Sequence, residues 1–349
     1  MSRIEPIRRK LDFKAGRVDL SHGAGGRAMG RLIEDVFHSA FDNAWLRAGN
    51  DQSAFDVQAG RMVMTTDSYV VSPLFFPGGD IGALAVNGTI NDVAMAGARP
   101  LYLTASFIIE EGFPLADLKR VADSMGAASR AADVPIITGD TKVVERGKAD
   151  GVFVTTAGVG VVPPGLLLSS NRVRPGDVVI VSGSIGDHGV AVMSKRENLE
   201  FETEILSDTA ALHGLVAEMV AAAGPHLRAM RDPTRGGLAA TLNELAHASG
   251  VGFSLHEAAI PIRADVAAAC EFLGLDPLNV ANEGKLVAIV APEGAAALLA
   301  AMRAHSLGRE AAEIGRAVED ENRFVEMRTA FGGGRIVDWL AGEQLPRIC

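Results

Sequence analysis

Three aspartates, Asp67, Asp140 and Asp232, each stand directly after a short apolar stretch that reads as a strand: RMVMTTD, VPIITGD and RAMRD. In α/β proteins the crevice beyond strand carboxyl ends is where ligands bind. A fourth acid, Asp92 in NGTINDVAMAGARP, lies inside an otherwise apolar helix. Burying a lone carboxylate is costly, so Asp92 needs a cation or strong hydrogen bonds. Singly, each acid is more often a turn or cap residue; their recurrence is what points to chemistry. Carboxylates gathered in one crevice repel each other and any phosphate unless a hard cation bridges them, and Mg²⁺ held by carboxylates and substrate phosphates is the usual solution. Two further features bear on this. HGAGGRAMG opens on a glycine-rich loop at residues 21–26, with Gly25 and Gly26 at its tip. It is either a flexible turn or a set of backbone N–H groups draped over phosphates at a helix start. There is no G-x-x-x-x-G-K-[ST], which excludes a P-loop. The chain also ends on a thiol, Cys349, in LPRIC. The neighbouring α-carboxylate disfavours a thiolate, so Cys349 is not a self-activated nucleophile, and its position predicts an accessible side chain.

The elements that must position these residues follow from period and Pro/Gly punctuation. A polar loop at residues 21–26 runs into an amphipathic helix. A strand ends at Asp67, and DIGALAVNGTINDVAMAGA is a helix too rich in small residues to lie on a surface. PLYLTASFII is a strand, PLADLKRVADSMGAASRAA a helix opened by Pro114, VPIITGD a strand ending at Asp140, and GVFVTTAGVGVV a strand. PPG and SSNRVRPGD mark a boundary, after which the pattern restarts. DVVIVSG is a strand, DTAALHGLVAEMVAAAG a helix, RAMRD a strand ending at Asp232, and RGGLAATLNELAHASG a helix. VGFSLHE and KLVAIVA are strands, ADVAAACEFLG an apolar helix that keeps Cys270 in the core, and GAAALLAAMRAH a helix. The expected organisation is a basic arm at 1–20, a first α/β domain at 21–163, a second at 173–338 and a tail at 339–349. From Trp339 to Cys349 the tail spans at most about 33–36 Å when extended.

At 349 residues, two domains of ordinary size are the default. Hydrophobic residues at 48% and charged residues at 22% are those of a globular chain. A net charge of −10 argues against a nucleic-acid backbone as partner. No stretch approaches the length of an apolar membrane span, the charged start lacks the apolar segment of a signal peptide, and two cysteines make no disulfide framework. The expected compartment is the cytoplasm.

The stretches TTDSYVVSPLFFPGGDIGALAVNGTINDVAMAGARPLYL, VPIITGDTKVVERG, SGSIGDHGVAV, RDPTRGGLAATLNELA and NEGK, with PRIC at the end, resemble the superfamily named for aminoimidazole ribonucleotide synthetase. Within it they are most similar to the HypE family of hydrogenase maturation factors. The resemblance spans about residues 18–349. It implies an α/β (α+β) fold of two domains, the first pairing into a β-barrel across a homodimer, with a flexible C-terminal tail. It implies an ATP-dependent carbamoyl dehydratase. A partner carbamoyltransferase loads the terminal thiol with a carbamoyl group, and ATP drives dehydration of the S-carboxamide to an S-cyanide. The cyanide then passes to iron on a separate scaffold complex. By this resemblance Asp67, Asp92 and Asp140 are the expected Mg²⁺ ligands. Asp51, Asn91, Gly139, Thr141, Gly25, Gly26 and Asp232 complete the nucleotide site, and Arg235 and Gly236 shape the pocket. Cys349 is the acceptor, and Glu283 in NEGK or Lys142 in GDTK, if desolvated, takes the protons. His22 and His188 fall in matching motifs but read more simply as loop or packing residues.

Overall fold

The computed structural model describes residues 11–50, 52–56, 59–199, 204–339 and 345–349. Its first half is built on a four-stranded sheet of β1 (Arg61–Tyr69), β2 (Arg99–Glu110), β3 (Ile136–Val144) and β4 (Val152–Val162), in the order β1-β4-β2-β3. Helices α1 (Ile81–Met95) and α2 (Leu115–Ala132) supply its packing partners. β4 shows the cause in its sequence: every second residue from Val152 to Val162 is buried while the alternate ones are half-exposed, the period of a strand with one face on a core. α1 is buried almost throughout, as its small residues predict. On one side it meets the first sheet, and on the other Ala94 and Met95 enter an apolar cluster with Leu215, Val216 and Met219 of the second half.

The second half holds a seven-stranded mixed sheet. Its strands are β5 (Val178–Val181), β6 (Leu227–Arg231), β7 (Gly252–His256), β8 (Val287–Val290), β9 (Ala312–Val318), β10 (Val325–Arg328) and β11 (Gly334–Ile336), ordered β11-β10-β7-β9-β5-β8-β6. Around it run α3 (Asp187–Arg196), α4 (His213–Ala223), α5 (Gly237–Ser249), α6 (Ala264–Leu273) and α7 (Pro292–Ala304). The sheet β5 and β8 are short apolar runs buried on both faces, VVIV and VAIV.

Some sequence expectations need correction. β1 continues to Tyr69 and β3 to Val144, so Asp67 and Asp140 sit within strands and not at their ends. Both are edge strands, where a charged residue interrupts the apolar pattern without interrupting the ladder. Asp232 does follow its strand directly. α4 begins at His213 and not at Asp208, because the preceding segment is tied elsewhere: Ser207 N–H donates to Pro77 O and Leu212 N–H to Asn91 Oδ1. Helix α3 and strands β9 to β11 were not anticipated.

The register fixes where the acids can go. Asp67 lies opposite Thr156, Thr156 opposite Ala105, and Ala105 opposite Gly139. Asp140 belongs to the adjacent row, with Ser106, Thr155 and Ser68, whose side chains leave by the other face. Asp67 and Asp140 are therefore three strand spacings apart, about 14 Å, and on opposite faces of the sheet. Gly139 has a packing reason for its identity, since a Cβ there would stand 2.1 Å from the Ala105 carbonyl oxygen. Gly139→Ala is expected to lose about 1–3 kcal/mol of stability through the strain of that approach. Urea unfolding without nucleotide measures it, and an unchanged midpoint would leave Gly139 with no structural role.

Candidate functional site

Acidic side chains from both halves meet beside the junction that α1 makes. Asp67 comes from β1 and Asp92 from α1, while Asp232 follows β6 and Glu283 lies in the turn before β8. Asp92 Oδ2 accepts from Thr65 Oγ1 at 2.9 Å, the hydrogen bond its burial required. Burial still raises Asp92 above the usual carboxylate range, with the charge of Asp67 adding to the effect. Asp232 is pushed up to about 7 by burial and by Asp92. Glu283 is raised well above its ordinary value, first by burial and then by Asp232, Asp208, Asp67 and Asp92. Its Oε1 is buried and has no hydrogen-bond partner. Like charges brought together away from water favour the protonated form of each, and all three shifts share that cause.

Backbone struts hold this arrangement. Asn91 donates both amide N–H groups, to Ala210 O at 3.0 Å and Glu283 O at 3.1 Å, and its oxygen accepts from Leu212 N–H. Expected at the nucleotide, Asn91 is instead fully engaged in joining α1 to two loops. Asp208, not singled out from the sequence, accepts from Glu283 N–H through Oδ1 and pairs through Oδ2 with Lys285 Nζ at 3.1 Å. Both partners of this pair are largely buried. Asn282 receives Gly186 N–H and donates to the carbonyls of Pro233 and Val280. Lys285 was visible in NEGK, but nothing in the sequence linked it to Asp208.

The DPTRGG turn closes one side. Gly236 and Gly237 have φ of 76° and 61° and open α5, a conformation suited to glycine. Together with Asp232, Thr234, Arg235, Trp339 and Ile348, Gly236 bounds a cavity of about 580 Å³. Ile348 belongs to the C-terminal end, which is docked here. Val70 N–H donates to Cys349 O and Ser72 N–H to Arg347 O, both at 3.1 Å, so residues 347–349 run beside the chain that leaves β1. Leu345 and Ile348 are buried in the same apolar cluster as Val190 and Ala281, and Cys349 is half-buried. His188 Nε2 lies 2.9 Å from Ile348 O, and its Nδ1 2.8 Å from Ser207 Oγ.

The remaining candidates collect at the other edge of the first sheet. Gly23 packs against Val143 of β3, which brings the glycine-rich loop to that strand, while Gly25 and Gly26 face open space. Beneath lies a cavity of about 110 Å³ bounded by Met29, Ile33, Phe37, Phe107, Gly139 and Thr141. Lys142 Nζ pairs with both oxygens of Asp140 at 2.7 and 2.8 Å, holding Asp140 below its ordinary value. Both side chains are exposed, so the desolvation that would make Lys142 a base is absent. Asp140 stands apart from Asp67 and Asp92. Among the described residues no three His, Cys, Asp or Glu side chains converge as a metal cage. Asp51 lies outside the described residues. His22 is buried and accepts from Asp19 N–H in a local cap, and Cys270 is buried with its thiol pushed up to about 11, both packing roles.

Two α/β halves joined by a buried helix, with an acidic crevice at the junction, define an AIR synthase related protein. The family model for the N-terminal domain of AIR synthase related proteins matches residues 49–162, and that for the C-terminal domain residues 174–328. A protein of Rhizobium leguminosarum bv. viciae named carbamoyl dehydratase HypE is 77% identical over 346 residues, covering 99% of each chain. A crystal structure of the hydrogenase maturation protein HypE in complex with ATP superposes with a TM-score of 0.91 at 49% identity, covering 95% of this chain and 99% of the other. A HypE–HypF complex superposes with a TM-score of 0.78 at 48% identity, covering 88% and 99%. The chain belongs to the HypE family. No helix of the described residues is long and apolar enough to cross a membrane.

Burial lowers the proton affinity of His188 below the ordinary 6.5, so the imidazole that meets the tail is neutral. The unfolded chain takes up this proton as pH falls through 6.5 and the folded one resists, so the stability His188 contributes is full above that pH and declines below it. His188→Gln retains a donor without the titration. The stability difference between wild type and variant, from urea unfolding above and below pH 6.5, is expected to shrink on acidification; a constant difference would contradict the buried neutral ring.

Proposed function

We propose that this chain is an ATP-dependent carbamoyl dehydratase that carries its substrate on its own last residue. The S-carboxamide on Cys349 becomes an S-cyanide, which supplies a cyanide ligand of iron in [NiFe] hydrogenase maturation. The observation that carries this reading is the terminal cysteine held against residue 70, three positions beyond Asp67. The names of the relatives agree with it.

The chemistry follows from the leaving group. An amide oxygen leaves poorly, so it first attacks the γ-phosphoryl of ATP, releasing ADP and one N–H proton. Loss of phosphate, which takes the former amide oxygen with it, and of the second N–H proton then leaves S–C≡N. The first step needs charge neutralised along the phosphates and the reacting oxygens held in line. The charge of Asp67 raises the proton affinity of buried Asp92, that of Asp92 raises Asp232, and Glu283 keeps an unpartnered oxygen, a donor set suited to a hard cation. With no full cage among the described residues, Asp67 and Asp92 would hold Mg²⁺ jointly with phosphate oxygens and water, and the ion would offset phosphate charge. Glu283 is the acceptor for an N–H proton: a buried carboxylate of raised proton affinity is the stronger base once ionised.

The glycine-rich loop and the Gly139, Asp140, Thr141 and Lys142 stretch lie at the far edge of the sheet, about 14 Å from this crevice, with Asp140 and Lys142 on its opposite face. We infer that a second copy delivers them. The sheet face away from α1 leaves Met62, Met64 and Ile108 exposed, with Tyr102, Phe153, Val159 and Val161 half-exposed beside them, an apolar face suited to closing a barrel across a homodimer. Loading requires the tail end to leave its berth for a carbamoyltransferase, a HypF-type partner. An iron-bearing scaffold complex then accepts the cyanide.

Incubation with the transferase, carbamoyl phosphate and ATP is expected to give first a carbamoyl adduct and then loss of one water on the C-terminal peptide, read by mass spectrometry. Cys349→Ala is expected to show neither while remaining folded; adduct on that variant would move the acceptor elsewhere. Co-expressing Asp92→Asn with Asp140→Asn tests the shared site. Each variant alone is expected to be inactive, and random pairing is expected to restore about a quarter of wild-type dehydration, because half of the dimers then hold one intact site of two. No recovery would confine the site to a single chain.

A further inference from the structure

Arg196, the last residue of α3, holds three chain segments at once. Its Nε donates to Ser72 O, its Nη1 to Pro346 O and its Nη2 to Arg347 O, each at 2.8 Å. One carbonyl belongs to the segment that leaves β1, and the other two are consecutive in the tail. A planar guanidinium matches this set because its donors diverge in a fixed fork; an ammonium has no such geometry. A second tie runs from the tail back to the first half. Arg347 donates through Nε to Val70 O at 2.9 Å and pairs through Nη1 with Asp150. Its own φ of 53° is left-handed, uncommon for a residue with a Cβ, and it turns the chain so that its carbonyl meets Arg196 while its side chain reaches the opposite way.

Two N–H···O bonds run from residues 70 and 72 to residues 349 and 347, a pairing only three residues long and too short to choose a register alone. Slipping the tail by one residue would exchange the carbonyls offered to Arg196 and remove buried Ile348 from its apolar contacts. We propose that Arg196 is a positioning residue for the dehydration, a clamp that sets the register of the tail and so holds Cys349 beside Val70, and that opening this clamp is what admits the thiol to its carbamoyl donor. Asp150 acts with it through Arg347. This rests on the reading of Cys349 as the acceptor.

The test that does not depend on that chemistry is alkylation of the full-length protein with iodoacetamide, without nucleotide, quantified separately at Cys349 and Cys270 by peptide mass spectrometry. Arg196→Ala is expected to react at Cys349 about tenfold faster than wild type, since two charge-assisted hydrogen bonds to the tail are lost. Buried Cys270 stays unreactive and reports that the fold is intact. Arg196→Lys is expected to behave like the alanine variant, because the fork and not the charge does the holding. Asp150→Asn, an exposed change, is expected to give a smaller rise of about two- to threefold, and it carries the test if Arg196→Ala does not fold. An unchanged Cys349 rate in a folded Arg196→Ala, or in Asp150→Asn where that variant stands alone, overturns the proposal; so does a lysine variant that matches wild type. On protein already carbamoylated at Cys349, Arg196→Ala is expected to slow ATP-driven dehydration at least tenfold while loading is kept or accelerated. An equal fall in both steps would mean a general structural role and overturn the assignment. If wild-type Cys349 accepts no carbamoyl group, the functional reading fails, while the alkylation rates still decide the clamp.

Discussion

Mutual repulsion of buried carboxylates is the constraint around which this molecule is organised. Asp92, Asp232 and Glu283 are raised first because each is buried and then because each has other carboxylates nearby. Left to themselves such groups would separate or draw in water. They stay because neutral and compensating groups tie down the backbone beneath them. Asn91 and Asn282 use their amides on loop backbone, and the Asp208–Lys285 pair holds the turn that carries Glu283. The energy of folding is thus spent on keeping apart-seeking charges within reach of one another, which is the condition for binding a cation and phosphates.

The geometry of the first sheet then limits what one chain can do. A strand pair is about 4.8 Å wide and side chains alternate between faces, so residues on opposite edges and opposite faces cannot serve one ligand. Asp67 and Asp140 stand in that relation. The same sheet leaves Met62, Met64 and Ile108 exposed on its outer face. Division of the candidate residues and exposure of that face have a single structural origin.

The tail obeys different physics. Its carbonyl oxygens accept most of its polar contacts and the Arg347 guanidinium makes others, while among its described residues Leu345 and Ile348 are the buried apolar side chains. Directional bonds of this kind specify a position closely yet are exchanged readily for water, because their net worth is small beside their gross strength. Such a berth suits a segment that has two destinations.

Much was legible from residues alone. Alternation in GVFVTTAGVGVV and the small-residue helix of DIGALAVNGTINDVAMAGA appear in the structure as β4 and buried α1, because local period and side-chain volume decide both. The burial of Asp92, its need of a hydrogen bond, and the inert packing of Cys270 were also implied by an apolar context. What the residues could not reveal depends on contacts between positions far apart in the chain. That β1 and β3 run past their aspartates follows from ladder bonds to neighbours, not from the strands' own composition. The partnership of Asp208 with Lys285 and the clamp of Arg196 on Pro346 and Arg347 join residues by through-space geometry. A sequence determines which side chains can bury, ionise or donate, since those are properties of each residue and its near neighbours. Which charge meets which is set only when the chain closes on itself, because Coulombic and hydrogen-bonding energies depend on distances that no local pattern encodes.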